Sequence, residues 1–262
     1  MVYDREAYIK QPVPIRFELR LLFKRNQPLV IFDIGACEGE ESIRYSRLFP
    51  KSEIYTFEPL PANIQLIENN FLKYGVTNAS LQNKAVSSKD GVGHLYVSSG
   101  EPKNIEVSDW DFGNKSSSLL EPSKHLKENS FLDFKDKIEV ETITLKSFCD
   151  KHKLTAIDFI HMDVQGGELM VLQGAFDLIS SIKVIWLEVS RIDFYKDQPL
   201  VDDIKKFMVA NQFSLLLDGL DSFQGDHLYI SKLHFSTFQI FLFKQLLSLR
   251  CIWRRLKAQL KK

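Results

Sequence analysis

Cysteine is scarce in this chain. Cys37, Cys149 and Cys251 are the three among 262 residues. Thiols so scattered form neither a disulfide framework nor a zinc-ligand spacing, so a reducing, cytoplasmic setting is expected. The opening MVYDREAYIK lacks the apolar core of a secretion signal, and no export is expected. Long apolar runs are missing too. The uncharged stretch 235–243 holds nine residues, where a bilayer span needs about 20. Acid is absent from residues 232–262, which carry eight Lys or Arg. That leaves 26 of the 34 Lys and Arg for residues 1–231, against all 34 Asp and Glu. An acidic body argues against a nucleic-acid enzyme, and the basic tail needs an explanation of its own.

What is present suits one large α/β domain with an appendage: 44% of residues are hydrophobic and 26% charged. LVIFDI (29–34) is a short apolar run rich in β-branched and aromatic residues, the composition of a buried parallel strand. A helical pattern covers 40–49 and stops at Pro50. EIYTFEP is a second strand, ANIQLIENNFLKY (62–74) a helix closed by Gly75, and SLQNKAVSS a third strand with its exit. This alternation predicts a doubly wound sheet. Residues 91–145 break the rhythm with two exposed-type strands, GHLYVSSG and IEVETI. A polar stretch between them, NKSSSLLEPSKHLKENS, reads as a long surface loop. Alternation then resumes as AIDFIHMDV, a helix over 167–179, KVIWLEVS, PLVDDIKKFMVAN and FSLLLD. Only GLDSFQGD separates Asp218 from His227. That is too short for a crossover helix, so the last strand is expected to run antiparallel to its predecessor. The result is a seven-stranded sheet, parallel but for one late strand.

Within IFDIGACEGEESI (31–43), Gly35 and Gly39 lie where a strand meets a helix start, a place that lets backbone approach a ligand. Glu58 ends the next strand, where a carboxylate can accept both hydroxyls of a ribose. A nucleoside-containing ligand follows. A dinucleotide turn needs a middle glycine for the pyrophosphate, and Cys37 stands there instead. Glu40 and Glu41 also oppose a diphosphate at the helix start. S-adenosylmethionine carries a ribose, no phosphate, and positive sulfur and amine groups, and it fits an acidic turn better.

The segments FDIGACEGEES, TFEPLPANIQLIENN, NKAVSS and above all IDFIHMDVQGGELMVLQGA resemble FkbM-type S-adenosylmethionine-dependent methyltransferases over roughly residues 28–231. The resemblance implies a class I methyltransferase (Rossmann-like) fold. It also implies methyl transfer to hydroxyls of sugars, glycolipids or polyketides. Many members have Lys where this chain has His161, and Glu where it has Gln165. Asp33, Gly35, Ala36, Gly39, Glu58, Pro59, Lys84, Ala85, Val86 and Asp163 are expected to hold the cofactor. Ser117 and Ser118 match a serine-containing segment of the family. They and His227, which begins the last strand, are the candidates for acceptor binding.

A sugar hydroxyl is a weak nucleophile, so a base beside it helps as its proton leaves. Strand C-terminal ends near the topological switch point offer His161, Asp163, Glu168 and Glu188. His161 is the expected base, with Asp163 and Glu168 positioning the reactants. The competing readings are a helix cap for Asp163, dipole compensation for Glu168 and a satisfied strand histidine for His161. Asp163, Glu168 and Glu188 do not form a recognised ligand spacing, and no metal is expected. A nicotinamide oxidoreductase, or a silent cofactor-binding subunit that supports a partner enzyme, are the alternative functions.

Three divisions follow: a helical lead-in (1–27), the methyltransferase domain (28–231) and a basic amphipathic C-terminal helix (232–262). Phe235, Phe238, Leu242, Leu246, Leu249, Trp253, Leu256 and Leu260 give that helix one apolar stripe. Three readings are open for 234–260: packing on its own domain, self-association, or peripheral contact with an anionic inner membrane face.

Overall fold

A computed structural model describes residues 3–103, 107–123 and 131–259. The strands are β1 (Tyr3–Asp4), β2 (Val30–Ile34), β3 (Glu53–Phe57), β4 (Ala79–Gln82), β5 (Ala85–Val86), β6 (Gly91–Ser99), β7 (Val107–Asp109), β8 (Asp133–Ile143), β9 (Ile157–Met162), β10 (Ile182–Ser190), β11 (Phe213–Asp218) and β12 (Gln224–Ser231). Seven of them form the main sheet in the order β11-β12-β10-β9-β2-β3-β4. All neighbours are parallel except β12, which runs antiparallel to β10 and β11. The short spacer after Asp218 forces that reversal, as the sequence predicts.

The central strands are apolar along their length because both sheet faces are covered. Phe32, Ile34, Ile160 and Met162 face one buried cluster. Ile31, Phe159 and Val184 face the other. Ile34 pairs with both Phe57 and Met162, so β2, β3 and β9 end level and their exit loops converge.

Residues 91–143 differ from the expected plain loop between exposed strands. β6 pairs antiparallel with β8, and β5 adds in parallel, giving a second sheet. A bridge between Tyr96 and Ser118 folds the segment after β7 back over the strand ends. Part of the polar stretch, 124–130, lies outside the described residues. The helix expected over 167–179 is two pieces, an α-helix Glu168–Gln173 and a 3-10 turn Phe176–Ser181. Phe176 adopts a φ of 48°, which no α-helix accommodates.

The lead-in forms helices Arg5–Lys10 and Arg16–Leu22. Arg5 is buried and ion-paired with Glu38, whose side chain is fully enclosed. It also reaches Glu40 at 3.5 Å and Asp109 at 2.8 Å. Removing one partner of a buried pair strands the other charge. Arg5→Ala is therefore expected to destabilise the protein by about 3–5 kcal/mol in urea unfolding. A loss under about 1 kcal/mol would show that the lead-in is not anchored to the glycine turn.

The C-terminal helix, Thr237–Gln259, packs on its own domain. Phe235, Ile240, Phe243 and Leu247 join the cluster that holds Leu216 and Leu228. This is not the expected stripe: Phe238, Leu242 and Leu249 stay exposed. Ile240 and Leu247 lie on the opposite side of the helix at 100° per residue. The side chains of Trp253, Leu256 and Leu260 lie outside the described residues.

Candidate active site

The glycine turn is pinned from two sides. Gly35 and Ala36 donate their N–H groups to the Phe57 carbonyl at 3.0 Å, and Asp163 donates its N–H to the Ile34 carbonyl at 3.0 Å. Gly35 has a φ of 79°, and a Cβ there would sit 1.9 Å from the Asp163 carbonyl oxygen. Cys37, where a dinucleotide turn would have glycine, keeps a left-handed φ of 51°. Its N–H donates to Glu58 Oε2 at 2.9 Å, and the Leu60 N–H donates to Oε1 at 2.9 Å. Glu58 thus ties the two loops together. A carboxylate has more than two acceptor positions, so these two bonds do not exhaust it. Burial raises its carboxyl to about 7 against those lowering hydrogen bonds.

Gly35, Glu58, Pro59, Lys84, Ala85, Val86 and Asp163 line one cavity of about 650 Å³. Asn63, Asn114, Lys115, Ser117, Ser118 and Gln165 are among the polar residues that also line it. Glu58, the glycine turn and the strand exits are the residues that could hold S-adenosylmethionine. Asp33 and Ala36, expected in the same site, line a second cavity of about 570 Å³ with Tyr8, Glu40, Glu41, Trp110 and His161. Gly35, Cys37, Lys115 and Asp163 border both. Gly39 lines neither; a Cβ there would meet Phe71 and Ile67 at 3.1–3.3 Å, so it serves the packing of helix Glu40–Leu48.

His161 differs from its expected role as base. Its Nδ1 lies 2.9 Å from Asp33 Oδ1, while Asp33 Oδ2 accepts from Ser42 at 2.5 Å. Burial opposes the ring's charge, but the Asp33 carboxylate outweighs it and raises the imidazole to about 9. A ring that holds its proton at neutral pH positions and donates rather than abstracts. Unfolded, the ring titrates near 6.5. The pair's stabilisation is therefore complete below about pH 6.5 and is lost as pH rises through 9. Relative to His161→Lys, which stays charged throughout, the wild type is expected to lose stability over this window. The slope approaches about 1.4 kcal/mol per pH unit. Parallel stability curves for the two proteins would show that His161 is neutral.

The carboxylates gather on the same side of the sheet. Asp163 follows β9 two residues beyond His161, and β10 places Glu188 directly opposite Asp226 on β12. Gln165 Nε2 donates to Asp163 Oδ1 at 2.7 Å and to Glu188 Oε2 at 3.3 Å. Tyr195 OH, in turn, donates to the Ser116 carbonyl at 2.6 Å and lies 3.1 Å from Gln165 Oε1. Burial raises both the Asp163 and Glu188 carboxyls, with mutual repulsion adding to the Glu188 shift. Burial also lifts Asp226 to about 6. Glu168 is raised to about 7 by burial, but its Oε1 accepts from the Val164 and Gly166 N–H groups at 3.1 and 3.3 Å. It holds the turn after β9 in shape. Among the described residues no three His, Cys, Asp or Glu side chains are arranged to hold a metal ion.

The expected acceptor residues are placed differently. Ser117 Oγ accepts from the Ser98 N–H at 3.0 Å, and Ser118 Oγ donates to the Gln165 carbonyl at 2.7 Å. Both line the first cavity and shape its wall. His227 is fully buried between Tyr229 OH and Asp218 Oδ1, each at 3.1 Å. Strand alternation turns it away from the site and points Asp226 towards it. Tyr8, Trp110, Asn114 and Lys115 carry no recognisable motif. They reach the site only because the lead-in and the 107–118 segment fold over it. Lys115 lies 4.3 Å over the Trp110 ring, 3.5 Å from Cys37 Sγ and 3.5 Å from Glu40.

A family model of the methyltransferase FkbM domain matches residues 33–215. The chain is similar to the 2-O-methyltransferase NoeI of Sinorhizobium fredii, with 30% identity over 194 residues, 72% of this chain and 76% of that protein. It is also similar to Methyltransferase 1 of Beauveria bassiana, with 26% identity over 187 residues, 69% of this chain and 72% of that protein. Among solved structures, an rRNA methylase from Streptococcus thermophilus is 9% identical with a TM-score of 0.45, covering 84% of this chain and 96% of that one.

Proposed function

Since the chain belongs to the FkbM methyltransferase family, we propose that it transfers a methyl group to a hydroxyl of a sugar, glycolipid or related natural product. The methyl donor is S-adenosylmethionine. One observation carries the reading of the acceptor. Asp163 borders both cavities, and the second combines Tyr8 and Trp110 with Glu40 and Glu41. Carboxylates accept hydrogen bonds from hydroxyls, and aromatic faces cover the apolar side of a ring. The name of the Sinorhizobium relative, a 2-O-methyltransferase, agrees with transfer to oxygen.

Bound in the first cavity, the cofactor supplies a methyl carbon activated by its sulfonium. Glu58 and the glycine turn orient it. Asp163 receives the proton of the attacking hydroxyl, because burial makes its carboxylate more basic than an exposed one. His161, held by Asp33, whose carboxylate raises the ring to about 9 against burial, fixes the local field and does not take the proton.

Methyl-labelled cofactor offered with panels of saccharides, glycolipids, amines and RNA tests this reading. Label is expected in hydroxylated acceptors. Label only in amines or RNA contradicts it. Cofactor binding without label in any acceptor favours the silent-subunit alternative.

A further inference from the structure

We propose that the exposed side of the C-terminal helix and an arginine-lined groove beside it form one docking face for an anionic lipid surface. The helix Thr237–Gln259 has two apolar sides. One is docked on the domain through Ile240, Phe243 and Leu247. The other shows Phe238, Phe241, Leu242 and Leu249 to solvent, at 73%, 59%, 43% and 62% exposure. Scattered exposed apolar residues are ordinary, but four along one helix side make an apolar strip with no cover from the described residues.

The neighbouring element supplies charge. Arg250 bonds Glu18 at 2.8 Å and lies 4.0 Å over the Phe17 ring, so the C-terminal helix runs beside helix Arg16–Leu22. Arg16 and Arg20 share one side of that short helix. With Lys10, Arg25 and Arg47 they border a groove of about 920 Å³ that no acidic side chain lines. Arg16, Arg20, Arg25 and Arg47 are all exposed.

The sign of the charge selects the occupant. The groove is bordered by Lys10, Arg16, Arg20, Arg25, Arg44 and Arg47 and by no acid. A second copy of this chain paired two-fold through the same face would set like charges against each other. A negatively charged bilayer meets both needs at once: lipid phosphates and carboxylates face the guanidinium groups while Phe and Leu enter the interface. Among the described residues no helix is long and apolar enough to cross a membrane, so the contact is one of lying on the surface. This inference stands apart from the methyl-transfer site, none of whose residues lines the groove.

Co-sedimentation of the full chain with phosphatidylserine–phosphatidylcholine vesicles, against pure phosphatidylcholine, is the test. Binding to the anionic vesicles alone is expected, and it is expected to weaken with salt. A triple variant Phe238→Ser, Phe241→Ser, Leu242→Ser and a second one Arg16→Glu, Arg20→Glu, Arg25→Glu are each expected to lower the vesicle affinity by more than about tenfold. All six side chains are exposed, and unchanged melting and S-adenosylmethionine affinity confirm that the variants fold. Three results overturn the proposal: no vesicle binding at low salt, equal binding of all three proteins, or a dimer that the serine variant dissociates without any vesicle binding. Salt-sensitive capture of RNA that the serine variant leaves intact, in place of vesicle binding, overturns it as well.

Discussion

Replacing Asp163 with Asn is expected to lower turnover by about 10²–10⁴-fold while S-adenosylmethionine affinity changes little. The substitution is nearly isosteric. The Asn carbonyl oxygen still accepts from Gln165 Nε2, which donates to Asp163 Oδ1 at 2.7 Å. The backbone N–H that bonds the Ile34 carbonyl is untouched, so the glycine turn keeps its anchor. What disappears is the proton acceptor at the boundary of the two cavities. The wild-type rate is expected to fall with acid as this carboxyl becomes protonated, at a higher pH than an ordinary aspartate because burial raises it. The paired measurements are kcat against pH and calorimetric titration of the cofactor. A variant that binds cofactor normally and turns over at the wild-type rate would move the base to another carboxylate. Asp226, raised by burial to about 6, is next in line.

Gly35→Ala is expected to abolish measurable cofactor binding. The φ of 79° costs an ordinary residue about 1–2 kcal/mol. The contact is the larger effect: a Cβ 1.9 Å from the Asp163 carbonyl oxygen forces the end of β9 away from β2. Because that oxygen is backbone, no side-chain rotation relieves it. Gly75 is the control, with a φ of 65° and nothing within 4 Å of the place a Cβ would take. Gly75→Ala is expected to cost only the conformational term, about 1–2 kcal/mol, with full cofactor affinity. Equal behaviour of the two variants would mean that the close approach of the glycine turn to Asp163 is not what builds the site.

The main sheet was legible because its cause is local. The apolar run at β2, the glycines after it and the short spacer before β12 are each contained in a few consecutive residues. The position of Glu58, just after β3, was legible for the same reason. The pairing of His161 with Asp33 was not: Asp33 is 128 positions away, and only the pairing of β2 with β9 brings it alongside. Nor was the lid over the site. Arg5 and Tyr8 come from the lead-in and Trp110 to Ser118 from the segment after β7, and their polar residues have no periodicity to mark them. His227 against Asp226 shows how narrow the margin is. The strand was in place, but a shift of one residue reverses which side chain faces the site.

The resonance of the transferred methyl is the most direct measure of the central claim. With a carbon-labelled methyl on S-adenosylmethionine and an accepted saccharide, the product spectrum is predicted to show a methoxy carbon coupled to a ring position. The same signal is predicted to build up about 10²–10⁴-fold more slowly with Asp163→Asn at equal cofactor saturation. A labelled methyl on nitrogen, sulfur or carbon of the product would contradict the account.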